Sequence, residues 1–242
     1  MFFGFFWGDW TILILLPAMI FAIIAQSRVN STFEKYSKIP SLSGLDGASA
    51  ARMILDANGL YHVRVERVGG KLTDHYDPRE QVIRLSESTY SNRSAAAIGV
   101  AAHEAGHAVQ HAKGDFPRKL RNVIIPITNF GSKLAMPLFL IGLLLSAFTY
   151  DPTVGGIFMF AGIVMFSFST VFQLVTLPTE FNASSRALAA LESSGRMGSE
   201  ELGEAKKVLN AAAMTYVAAL ATSLAYLLRF ILIAMRASGR RR

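Results

Sequence analysis

The chain has 242 residues, of which 52% are hydrophobic and 17% charged, and its mean hydropathy is +0.36. This balance is too apolar for an ordinary soluble globule and points to membrane-spanning segments. The formal net charge of +7 comes with no nucleic-acid recognition motif, which argues against a nucleic-acid partner, and the lack of cysteine excludes disulfides and thiolate metal sites.

The first apolar run, 2–25, is long enough to cross a hydrocarbon core of ~30 Å. It carries Asp9 where a signal peptide would carry a basic lead, and Ala25-Gln26-Ser27 offers no clear cleavage site, so a retained transmembrane helix is expected. Residues 26–122 are mixed in polarity and predict a small α/β unit. Within it, Gly47–Asn58 has helical spacing, with Asp46 as N-cap and Gly59 as stop. Val63–Val68 alternates as a strand, Gly69-Gly70 signals a hairpin, and Leu72–Tyr76 and Gln81–Leu85 read as two further strands. The Ala-rich stretch from Ser94 to Ala112 is strongly helical and ends at Gly114.

Two more apolar runs, 134–150 and 155–177, have only Asp151 as a charge between them and predict a tight transmembrane hairpin. The polar segment 178–207 opens with Pro178, which favours a fresh helix start. The run 208–228 predicts a fourth span, with a helix lying against the bilayer or the domain as its alternative, and 229–242 forms a basic tail. The expected fold class is thus a mostly helical α+β domain integrated with three or four transmembrane helices.

His103-Glu104-Ala105-Gly106-His107 fits H-E-x-x-H inside the predicted Ala-rich helix. Residues i and i+4 share one helical face, so two imidazoles can reach one zinc ion at the ~2.0–2.1 Å of a Zn–N bond. Glu104 projects beside that face, where a carboxylate can act as general base toward a water acidified by the metal. A chance match of this motif arises in roughly one chain in a hundred of this length. His111 lies one turn further along the stripe, too far to join the same ion on a straight helix, and is expected to be a helix-face residue or to support a ligand from behind. The candidate third ligand is Glu180. The hairpin 134–177 crosses the membrane twice and so returns Glu180 to the side holding His103 and His107. The alternative for Glu180 is a dipole-stabilising residue in the first turn of a helix begun at Pro178.

The segments HEAGHAVQH, LTDHYDP…VIRLSES and LPTEFNASSRAL resemble the bacterial neutral zinc metallopeptidase family of YugP-like membrane proteins, over nearly the whole chain. The resemblance implies a zincin-like, gluzincin-type peptidase with one Zn2+ per chain, held by His103, His107 and Glu180, and Glu104 as base. The layout is also similar to HtpX-type membrane proteases, in which two spans separate the H-E-x-x-H helix from the glutamate ligand. Those relatives place Asp four residues after that glutamate to orient a zinc-bound histidine. Here the position is Ser184, so either Ser184 makes that bond or Asn182 takes the role.

The expected partners are a peptide or protein substrate and the lipid bilayer. Leu72–Tyr76 is the candidate edge strand for substrate addition, and His75, Tyr76 and Arg186 are candidate oxyanion donors. Basic residues flank the spans on the metal side and are missing before the first span and from 149–154, which predicts a multi-pass protein with its catalytic domain in the cytoplasm. The C-terminal arginines run against this rule. Two other readings are an intramembrane site-2-type protease and a non-catalytic zinc-binding scaffold or chaperone-like protein.

Overall fold

The computed structural model describes residues 9–148 and 152–239. The start of the first expected span (2–8), the hairpin residues 149–151 and the end of the basic tail (240–242) lie outside the described residues. The chain is mostly helical, with one small sheet. A 3-10 turn, Trp10–Ile14, leads into α1 (Leu15–Tyr36), followed by α2 (Gly47–Ala57), β1 (Arg64–Val68), β2 (His75–Asp77) and β3 (Val82–Ser86). Helices α3 (Ala95–Lys113), α4 (Phe116–Phe148), α5 (Pro152–Ser193) and α6 (Ser199–Gly239) complete it. Two compact units form: Met1–Ile24 with Leu120–Thr176 and Tyr216–Arg242, and Ala25–Lys119 with Leu177–Thr215.

The second unit carries the sheet and the H-E-x-x-H helix. Asp46 caps α2 by accepting from the Ser49 N–H, and Gly59 follows the helix at φ +72°. Ser94 caps α3 by accepting from the Ala97 N–H, and Gly114 closes it in the left-handed conformation. The apolar side of α2 (Ala51, Ile54, Leu55) packs with Ile83 and Leu85 of β3 and with Ile98, Ala102 and Ala105 of α3 in one core. The alanines keep α3 thin, so neighbouring backbones can come close to it.

The sheet differs from the expected hairpin. Its order is β1-β3-β2, with β1 parallel to β3 and β2 antiparallel to β3. Gly69-Gly70 therefore starts a crossover, not a two-strand turn. The strand expected over Leu72–Tyr76 is reduced to His75–Asp77. Leu72 sits at φ +56°, and the Asp74 side chain turns away to accept from the Ser86 N–H and hydroxyl, which ends any extended run before His75.

The first unit holds apolar helix segments whose outer faces, such as Ile20, Ile23, Phe160 and Leu174, are exposed. Among the described residues, four helices are long and apolar enough to cross a membrane: Trp10–Tyr36, Lys119–Phe148, Thr153–Ser193 and Ser199–Ser238. Between α4 and α5 the approach is close. A Cβ on Gly142 would lie 2.4 Å from the Met159 nitrogen, and one on Gly162 2.8 Å from the Ala135 oxygen. Phe139, Met159, Phe230 and Ile233 form the apolar core of this unit.

Pro178 does not begin a helix. It lies inside α5, which runs unbroken from Pro152 to Ser193. Long helices tolerate an interior proline where neighbouring groups satisfy the freed carbonyl. Glu180 consequently sits deep within a helix, far from any N-terminus, and the dipole explanation for it falls away. The segment 178–207 is likewise divided between the end of α5, a turn at Gly195 (φ +64°) and the start of α6.

Candidate metal centre

His103 and His107 lie one turn apart on α3, with ring centroids 4.7 Å apart and planes at 80°. Glu180 comes from α5, which approaches α3 where both backbones carry little bulk. A Cβ on Gly106 would fall 2.7 Å from the Ala183 carbonyl oxygen. That contact lets the Glu180 carboxylate reach both imidazoles. Its Oε2 is 3.3 Å from Nε2 of His103 and 3.3 Å from Nε2 of His107. Glu180 is 2% exposed and the histidine side chains 15% and 13%.

The spacing fits a metal. Tetrahedral ligands on bonds of ~2.0–2.1 Å are separated by ~3.3 Å, the separation found here. Two imidazoles and one carboxylate form a donor set suited to Zn2+ with a fourth position left open. Among the described residues, no other His, Asp or Glu joins the group.

The outer nitrogens of both rings are also engaged. Ser184 Oγ is 3.1 Å from Nδ1 of His103. Nδ1 of His107 is 3.0 Å from Oε1 of Gln110, a residue 1% exposed. Gln110 Nε2 donates to the Thr179 carbonyl and to Asn182 Oδ1, both at 2.9 Å. Arg186 donates from Nε to the same Asn182 oxygen at 2.7 Å and from Nη2 to Asp115 at 2.9 Å. Ser184 therefore stands against His103, whereas Asn182 touches the site only through Gln110. Gln110 is not among the site residues expected from the sequence. Its signal was a lone amide three residues after His107 on a helix otherwise faced with alanine.

Glu104 is buried on α3, at 8% exposure. Burial pushes its carboxyl up to about 7; the charge of His103 offsets part of the rise, and Glu180 and Asp74 add to it. On β2, the Tyr76 hydroxyl lies 2.9 Å from Nδ1 of His111, and exposed His75 places Nδ1 2.8 Å from the Thr73 carbonyl. His75 is close enough to Glu104 for its charge to be felt there. A cleft of about 740 Å³, lined by Ile54, Gly106, Val109, Lys113, Arg186 and Arg196, includes none of His103, His107 and Glu180.

Comparison with known proteins agrees with this chemistry. Residues 11–235 match the family described as "Putative neutral zinc metallopeptidase". A relative from Bacillus subtilis (strain 168), "Putative membrane protease YugP", is 50% identical over 222 residues, covering 92% of this chain and 95% of that protein. No solved structure matches the chain. With the family pattern spanning nearly its full length, the chain belongs to the neutral zinc metallopeptidase family.

Proposed function

We propose that this protein is a membrane-bound, zinc-dependent endopeptidase of gluzincin type, with a zincin-like catalytic region facing the cytoplasm. The observation that carries the reading is the pair of 3.3 Å approaches of Glu180 to His103 and His107, with buried Glu104 next to His103 on the same helix. His103, His107 and Glu180 would hold one Zn2+. When bound, zinc supplies a Lewis acid that polarises the scissile carbonyl and acidifies water. Glu104 takes a proton from the attacking water and delivers one to the leaving amine, and its buried position next to His103 on α3 suits it to both transfers.

At the sheet edge, β2 is the strand to which an extended peptide can add. His75 and Tyr76 on that strand remain the candidates for steadying the oxyanion. Arg186 is held by Asn182 and Asp115, which supports a bracing role for it in place of direct contact with substrate. The two competing readings lose ground on specific features. An intramembrane protease needs its H-E-x-x-H helix in the bilayer, and among the described residues α3 is not one of the helices long and apolar enough to span. A structural zinc site normally takes four protein ligands without an adjacent base, whereas three ligands and Glu104 are present here.

Purified protein in detergent, assayed for zinc content and peptide cleavage, tests the assignment. Glu104→Gln should keep zinc and lose cleavage, and Glu180→Ala should lose most of the zinc. Undiminished cleavage by Glu104→Gln would overturn the catalytic role, and unchanged zinc affinity in Glu180→Ala would overturn the third ligand.

A further inference from the structure

We infer that Gln110 is a positioning residue for the metal ligand His107, and that Asn182 and Arg186 hold Gln110 in place. The inference rests on the metal centre proposed above.

Each link in the chain runs in one direction only. A guanidinium can only donate, so the Asn182 atom facing Arg186 Nε at 2.7 Å is its oxygen. The Thr179 carbonyl can only accept, so the Gln110 atom facing it at 2.9 Å is the amide nitrogen. That nitrogen also donates to Asn182 Oδ1. Gln110 must then turn its oxygen toward His107, and the ring nitrogen 3.0 Å away, Nδ1, must carry a proton. A neutral imidazole protonated at Nδ1 keeps its lone pair on Nε2, the atom facing Glu180. The network therefore fixes both the tautomer and the ring plane that a metal ligand requires.

His103 has a different arrangement. Its Nδ1 faces the Ser184 hydroxyl, which rotates and can donate or accept, so it dictates no tautomer. Of the two ligand histidines, His107 is the one set by an oriented, buried amide. Arg186 extends the brace to Asp115, beyond the C-terminal end of α3, and so ties the α3 end to α5.

Zinc affinity measured by competition with a chromophoric chelator, and the visible spectrum of the cobalt-substituted protein, provide the test. Gln110→Met keeps the volume and removes the acceptor. It should lower zinc affinity by ~10–100-fold and alter the cobalt spectrum. Asn182 is exposed, so its variants do not threaten the core. Asn182→Leu removes one of the two acceptors for the Gln110 amide and should cost about fivefold. Asn182→Asp keeps an oxygen for both donors and should restore wild-type affinity and spectrum. Gln110→Met that folds and binds zinc within twofold of wild type, with an unchanged cobalt spectrum, overturns the inference while leaving the metal centre standing. Should Gln110→Met fail to fold, the Asn182 pair decides: equal affinities for Leu and Asp overturn it. Wild-type protein that binds no zinc overturns the metal centre itself, and the inference with it.

Discussion

Glu104 shows most directly how environment sets chemistry. A carboxyl driven up to about 7 by burial is protonated in the folded chain at pH values where the unfolded chain has already released its proton. Folded protein then binds more protons than unfolded protein between about pH 4.5 and 7, so this group's contribution to stability declines as pH rises through that window and levels off above it. In chelator-treated protein, Glu104→Gln should match wild type near pH 4.5 and exceed it at pH 8 by on the order of 2–3 kcal/mol. Thermal unfolding in detergent across that range checks this, and a difference that does not change with pH would count against it. For cleavage the sign is reversed, since the base works ionised. A dication at the centre favours the carboxylate, so the acidic limb of the rate profile should lie below 7. The residues of the H-E-x-x-H motif were legible in the sequence because they belong to one helical turn, where spacing alone fixes geometry. Gln110 was not, because a single amide gains meaning only from Thr179 and Asn182 on another helix.

At the scale of elements, the site depends on how closely α3 and α5 approach. Gly106 lies between His103 and His107, the proposed ligands, facing the Ala183 backbone, and a methyl group there would meet a carbonyl oxygen 2.7 Å away. Neither backbone can yield without moving a ligand. Gly106→Ala should cost ~1–3 kcal/mol of stability as an overpacked contact, and it should weaken zinc binding as well. Gly203 on α6 has open space where its Cβ would be, so Gly203→Ala should leave zinc affinity alone and raise stability by ~0.5–1 kcal/mol. Melting temperatures and zinc titrations of the two variants separate packing at the site from a general effect of removing glycine; equal losses in both would defeat the argument. Helix boundaries at Asp46, Ser94 and Gly114 were readable because they are local. Sheet pairing was not, since alternation in Val63–Val68 marks a strand without naming its neighbour, and the parallel partner follows a crossover. Pro178 misled for a related reason. Proline opposes a helix locally, but the apolar run before it and the packed face after it, through Ala183, Ala187 and Leu191, carry α5 straight through.

The whole molecule raises the question of which side of the membrane the metal centre occupies. Basic residues flanking the spans near the H-E-x-x-H region favour the cytoplasm, and the C-terminal arginines weigh against that choice. Two of the tail's arginines have partners within the first unit. Arg229 pairs with Asp9 at 2.8 Å, and Arg236 lies 4.0 Å from the same carboxylate and 5.7 Å from the Trp10 ring. One carboxylate thus partly neutralises two of the tail's cations and joins the start of the first span to the end of α6. A cysteine-free chain allows the orientation to be read without background labelling. In intact cells, a membrane-impermeant maleimide should label Ser238→Cys and spare Tyr61→Cys, which is 74% exposed to solvent in the catalytic unit. Both should label once the membrane is opened. The opposite pattern would put the metal centre outside. Equal protection of the two in intact cells would mean that α6 does not cross, and the count of spans would fall to three.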